Sequence, residues 1–257
     1  MRVLPALAKI TLAGFVLSLA IGLTAAFGTR LGYWDYQFGL FKLFPWCLGV
    51  GAAALICGMV WMIWALIAND SDGRPYGLIG LIGVIILLAN PVTEYWDHVG
   101  LPPVPDVSTD TEHPPVFVAL LSQRQGAKTS PDYEGDKTIV FDGKTSTMSL
   151  LQHKYYTDIH SAAILISPER LFKRAVAASY AMGWNIVAIV PDEGRIEATD
   201  TTFFFGFTDD IVIRVKPAGM GAKLDIRSKA RADGDDLGRN VRRVRDFMAK
   251  LASEQSI

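Results

Sequence analysis

The chain has 257 residues, half of them hydrophobic, with a mean hydropathy of +0.26 and a net charge of −1. That is room for a membrane anchor and one modest domain, and the near-neutral total excludes a general nucleic-acid binder, which would carry a basic domain. Its two cysteines, Cys47 and Cys57, lie in one apolar run. They form no disulfide framework and no CxxC metal knuckle, and no cofactor or metal is expected from the motifs.

The apolar excess sits at the front. Ala6–Phe27 holds one charge, Lys9, and Phe44–Ala68 and Tyr76–Ala89 hold none. A spanning helix needs about 20 apolar residues. The first two stretches qualify as spans over 6–27 and 44–68. The third is short, and becomes a span over about 76–93 if Asn90–Trp96 extends it past Pro91 into the headgroup region, where Tyr95 and Trp96 are favoured. The first stretch also has features of a cleaved signal peptide, but its core is long for one. Gly32–Trp46 is aromatic-rich and suits a membrane surface. Gly51, Ala54 and Gly58 line one face of the second helix, and Gly77, Gly80 and Gly83 punctuate the third, which suits close helix packing in lipid. With the N-terminus inside, Arg2, Lys9 and Arg74 face Arg30 and Lys42 across the bilayer. This positive-inside bias places everything after the third helix outside the cytoplasm.

Residues 94–117 are proline-rich and read as a linker between an anchor over 1–93 and a domain over 118–257. The region to 160 is turn-rich, with one helix around Leu150–Tyr155. Ser167 caps a helix that opens on Pro168 and ends at Gly183. Strands follow at Trp184–Pro191, Arg195–Phe207, Asp209–Pro217 and Ala222–Ala230. Pairing Ile213 with Ile226 sets Arg214 opposite Asp225, so hydrophobic register and charge register agree. A last helix is capped by Asp235 or Asp236 and lined by Leu237, Val241, Val244, Met248 and Leu251. The expected fold is α+β: helix, four-stranded antiparallel meander, helix, behind a three-helix transmembrane anchor.

Four segments then carry a resemblance. "STDTEHPPVF" (Ser108–Phe117), "SPERLFKRAVAASYAMGWNIVA", "FFFGFTDDIVIRV" and "RSKARADGDDLGRNVRRV" together resemble the bacterial and plastid family called domain of unknown function 1499, over roughly residues 105–250. Lys229 and Ala230 depart from its pattern. The resemblance implies a shared domain fold behind a multi-span anchor in the bacterial inner membrane, with the C-terminal domain periplasmic. It implies no reaction.

Residues 222–250 concentrate charge, nine Lys or Arg against five Asp or Glu. Arg227, Lys229 and Arg231 alternate along a strand end and so share the face away from Leu224 and Ile226. Asp236 and Asn240 stand at the helix start, with Arg243 a turn further on, and the free N–H groups of such a start attract an anion. Asp209 and Asp210 are paired carboxylates. Arg227, Arg231, Asp236, Asn240, Arg243, Asp209 and Asp210 are therefore the candidate ligand-binding residues. The bland alternative is that they pair with one another and hold the fold. No metal set, GxSxG frame or glycine-rich phosphate loop accompanies them. The resulting expectation is a non-catalytic membrane protein whose contacts are membrane lipids and whose outer domain binds a membrane or envelope protein, or an anionic lipid headgroup or ligand. The alternative is an enzyme acting on a phosphorylated or acidic envelope substrate, using the clustered Asp and Arg side chains.

Overall fold

The computed structural model describes residues 3–68 and 73–253, so Arg2, one of the charges used for orientation, lies outside the described residues. The chain divides into two units, Met1–Val99 with Thr202–Gly206, and Gly100–Thr201 with Phe207–Ile257.

The first unit is helical. α1 (Val3–Arg30) is followed by a short helix α2 (Tyr36–Phe38) and a wide π-helical turn over Gly39–Leu43. That turn leads directly into α3 (Phe44–Ala68), and α4 (Arg74–His98) completes the set. Three helices, Pro5–Arg30, Tyr36–Ala68 and Arg74–His98, are long and apolar enough to cross a membrane. The third runs from Arg74 through Pro91 to His98, longer at both ends than the 76–93 expected. The glycines serve as the sequence implies. Gly51 faces Ser18 and Leu88, Gly58 faces Thr11 and Leu81, and Gly77 lies on the Trp61 ring. Ser18 Oγ donates to the Cys47 carbonyl at 2.7 Å, which satisfies a hydroxyl buried between two helices. The loop Thr202–Gly206 belongs to this unit: Phe203 and Phe204 meet Phe27 edge-on, and Phe205 meets Phe44.

The second unit is an α+β domain. Its sheet runs in the order β1 (Asp106–Ser108), β8 (Gly221–Ala230), β7 (Thr208–Ala218), β6 (Arg195–Thr201), β5 (Asn185–Val190), with β4 (Ala162–Ile164) also beside β8. A separate hairpin, β2 (Thr138–Phe141) and β3 (Lys144–Thr147), leads into α5 (Met148–Tyr155). β5 to β8 form an antiparallel meander in the expected register, with Ile213 opposite Ile226 and Arg214 opposite Asp225. α6 (Pro168–Ala181) and α7 (Arg239–Ser253) pack on one face. Their Leu171, Ala175, Val244 and Phe247 meet Ile196, Ile211, Ile213, Leu224 and Ile226, and Trp184 stacks on Phe247 with ring centroids 5.5 Å apart. Ser167 caps α6 by accepting from the Arg170 N–H, and Gly183, at φ +75°, turns the chain out of it.

Four expectations need correction. The sheet has six strands rather than four, because β1 and β4 share the far edge of β8. The 94–117 segment is not a free linker: α4 occupies its start, Val104 and Val107 enter the core, and Phe117 packs under the other sheet face. Proline-rich composition concealed a three-residue strand that needs only one neighbour. The strand expected over Arg195–Phe207 stops at Thr201, where a turn begins. On the last helix Leu237 is exposed and sits before the first turn at φ +54°, so it adds nothing to the apolar stripe.

Candidate functional site

Neighbouring residues on a strand point to opposite faces. Asp209 and Asp210 therefore part company. Asp209 turns to the helical face, where it accepts from Arg239 at 2.7 and 2.9 Å and from Arg243 at 2.8 Å. Asp210 turns to the other face, where it pairs with Arg124 and accepts from Arg231 at 2.6 to 3.0 Å. The two carboxylates do not converge on one ligand, and the paired-carboxylate reading has no geometry behind it. The seven candidate residues fall into two clusters, one on each side of the sheet.

The helical-face cluster closes the start of α7. Asp236 accepts from the Gly238 N–H at 3.1 Å, the Asn240 N–H at 2.7 Å and Asn240 Nδ2 at 2.8 Å. Burial pushes its carboxyl above the ordinary carboxylate range, against the pull of those donors and of Arg239. Asn240 donates on to the Pro105 carbonyl at 3.1 Å, and its Oδ1 accepts from Ser228 Oγ and from Arg243, each at 2.6 Å. Arg243 forks onto Asp200 at 3.0 and 2.8 Å. The anion at this helix start is the chain's own Asp236.

The opposite face carries a buried layer of charge beneath the irregular strap 109–137. Arg227 and Lys229 are each 1% exposed and share Asp106: Arg227 grips it at 2.8 and 3.0 Å, and Lys229 reaches it at 3.0 Å. The Arg227 guanidinium also lies over the Phe117 ring at 4.7 Å and the Tyr133 ring at 5.3 Å. Burial, with Asp106 close by, raises the Tyr133 phenol beyond its ordinary range. A strap whose regular structure is one short 3₁₀ helix, Ala119–Gln123, leaves many carbonyls unpaired, and buried carbonyls need donors. The cations supply them. Arg227 donates to Pro115 and Pro131, Lys229 to Asp132, Arg231 to Gln123, and Arg124 to Thr129 and Ser130. Glu197 does the converse. Its carboxylate accepts from the N–H groups of Val118, Ala119 and Leu120 at 2.9 to 3.1 Å and pairs with Arg195.

Asp106, Arg124 and Glu197 thus matter as much as the seven residues expected, and spacing alone singled out none of them. A Glu between apolar Ile196 and Ala198 in β6 was the available signal for Glu197. Lys229 is held by Asp106 and by Glu134 at 3.3 Å. Among the described residues, no three His, Cys, Asp or Glu side chains are grouped to hold a metal.

A smaller cluster lies at the strap's beginning. Asp110 accepts from Lys223 at 2.9 Å, the His113 N–H at 2.8 Å and Arg214 at 3.2 Å. Burial works to raise its carboxyl, but the Lys223 and His113 hydrogen bonds, with the Lys223 and Arg214 charges, outweigh it and hold the group below its ordinary 3.8. Its contribution to stability is therefore present above pH 3.8 and is lost as pH falls through the depressed folded value. Asp110→Asn is expected to lower the urea midpoint of the full-length protein in detergent at pH 7, with the two curves converging in acid. A midpoint difference that stays constant from pH 7 to below 3.8 would contradict this account.

No curated protein matches the chain. The family model described as "Protein of unknown function (DUF1499)" matches residues 106–251, which spans β1 through most of α7 and takes in Asp106, Glu197, both aspartates of β7 and the whole closing motif. With more than half of its length matched and the motif residues forming the frame of the second unit, this chain belongs to the DUF1499 family.

Proposed function

We propose that the chain is an integral membrane protein of the bacterial inner membrane. Its helices α1, α3 and α4 cross the bilayer, and residues 100–257 form a non-catalytic periplasmic domain that binds a membrane or envelope protein. The length and apolarity of three helices support the spanning part, and the Lys and Arg bias supports the orientation.

One observation carries the partner reading. Between Val116 and Leu121 the strap alternates: Phe117 and Leu120 are buried against Val212, while Val116, Val118 and Leu121 are exposed. The backbone beneath them is fixed by Glu197. A rigidly held loop that presents three large apolar side chains costs little ordering entropy to dock, and fits a protein contact. The charged residues fit a framework role, since Asp106, Asp209, Asp210, Arg227, Lys229 and Arg243 are paired within the chain. A narrower reading, an anionic ligand at one of the two clusters, draws on Arg231 on one sheet face or Arg239 on the other, whose side chains stay 20% and 23% exposed. Such a ligand would have to compete with Asp210 or Asp209 respectively.

The test is a photoreactive residue at Val118 in the full-length protein in native membranes, with and without Val116→Ser plus Leu121→Ser. The expected result is a discrete cross-linked adduct that disappears in the double variant, with thermal stability changed by no more than about 0.5 kcal/mol. An adduct of undiminished yield in the double variant overturns the surface. Adduct loss only on Arg231→Glu would favour the anionic-ligand reading instead.

A further inference from the structure

We propose a binding site for a single anionic phospholipid in the groove between α1 and the start of α4. This rests on the proposal that these helices cross the bilayer.

The groove is open and measures about 590 Å³, within the roughly 300–1,000 Å³ typical of small-molecule sites. Lys9, Ala13, Val16, Leu17 and Ala20 line it from α1, at spacings that keep them on one helix face, and Tyr76 lines it from α4. The hollow has a simple origin. Ala13 and Ala20 are small and stand on either side of Val16 and Leu17, both of which are exposed. α1 and α4 run parallel here: a Cβ built on Gly73 would meet Ala8, one on Gly80 would meet Leu12, and one on Gly83 would meet Phe15. Lys9 and Tyr76 therefore mark the same end of the groove.

Length and charge select the occupant. Eleven residues separate Lys9 from Ala20, which is about 16 Å of helix. Half of a hydrocarbon core of about 30 Å is close to that figure. The groove thus runs from headgroup depth to the bilayer centre, the reach of one acyl chain in one leaflet. At its polar end stand an ammonium and a phenol, both donors. A lysine near a helix end extends its ammonium to the interface. A phosphate of net negative charge complements that end, and an acyl chain complements the rest. A zwitterionic lipid satisfies the apolar part equally well but brings no net charge to complement Lys9.

The experiment is native mass spectrometry of the full-length protein, delipidated in detergent and titrated with equal amounts of phosphatidylglycerol and phosphatidylcholine of matched acyl chains. The expected result is a one-lipid adduct favouring phosphatidylglycerol by about fivefold, the effect of one interfacial lysine. Lys9→Gln should bring the two lipids to parity, Lys9→Arg should keep the preference, and Ala13→Phe should fill the groove and abolish both adducts. Equal adducts in the unmodified protein, or a preference untouched by Lys9→Gln, overturn the site. Carbonate extraction of the source membranes separates the two failures. Protein released by carbonate defeats the spanning proposal, whereas protein retained without lipid preference defeats the lipid site alone.

Discussion

Asp106→Ala is expected to destabilise the α+β domain by roughly 3–5 kcal/mol, the cost of removing one partner from a buried ion pair. The reason is asymmetry. An intact buried pair contributes little net stability, because desolvation offsets attraction, but a lone buried cation is left without compensation. Asp106 serves two such cations, Arg227 and Lys229, each 1% exposed. Lys229 keeps Glu134 at 3.3 Å, but Arg227 keeps only carbonyls and ring faces. Asp158→Ala is the control. It breaks an equally well-formed pair with Arg245, at 2.6 Å, whose side chains are 52% and 43% exposed, and its expected cost is below about 1 kcal/mol. Thermal unfolding of the full-length protein in detergent, followed by near-UV circular dichroism, reads both. Equal small shifts for the two variants would mean that the strap's charged underside relaxes to admit water. Arg227→Lys should behave nearly as badly as Asp106→Ala, since an ammonium cannot grip a carboxylate, reach two carbonyls and lie between two rings at once.

The charge-rich stretch that drew attention in the sequence is explained by this arrangement. Alternation along β8 put Arg227, Lys229 and Arg231 on one face, and the structure keeps them there. What alternation does not reveal is the occupant of the space above that face. Asp106, which holds the first two, and the strap carbonyls that all three satisfy come from 96 to 123 residues earlier, and no local pattern encodes that contact. Asp209 and Asp210 show the same limit in reverse. Adjacency in sequence suggested a pair, while strand geometry alone, with its two-residue period, already required them to separate. The β7–β8 register was legible because apolar and charged positions demanded the same alignment. β1 and β4 were not, because three-residue strands carry no period to detect. In the helical unit the small residues were legible, since glycine at these positions has one economical meaning in an apolar helix.

That meaning yields the second large effect. Gly80→Ala is expected to destabilise the helical unit by about 1–3 kcal/mol, the usual cost of overpacking a close contact. A Cβ on Gly80 would lie 2.7 Å from the Leu12 backbone nitrogen and 2.8 Å from Leu12 Cα and the Thr11 carbonyl carbon. These are backbone atoms of a neighbouring helix, so no rotamer change relieves the clash, and α1 and α4 must separate. Gly83 offers the informative contrast. Its added Cβ would meet the Phe15 ring at 2.6 Å, a side chain that can swing away, so Gly83→Ala should cost less. Gly49→Ala meets nothing within 4 Å and should be neutral or slightly stabilising, because alanine is the better helix former. Thermal melts of the three variants in one detergent rank them directly. The order Gly80 worst, Gly83 intermediate and Gly49 harmless follows from which atoms stand opposite each glycine. Intrinsic propensity alone predicts stabilisation for all three, the opposite sign for Gly80 and Gly83, since each replacement improves the helix former. A common stabilisation across the set would therefore mean that α1 and α4 do not pack through Gly80. Their parallel alignment, which puts Lys9 and Tyr76 at the same depth, would lose its support with it.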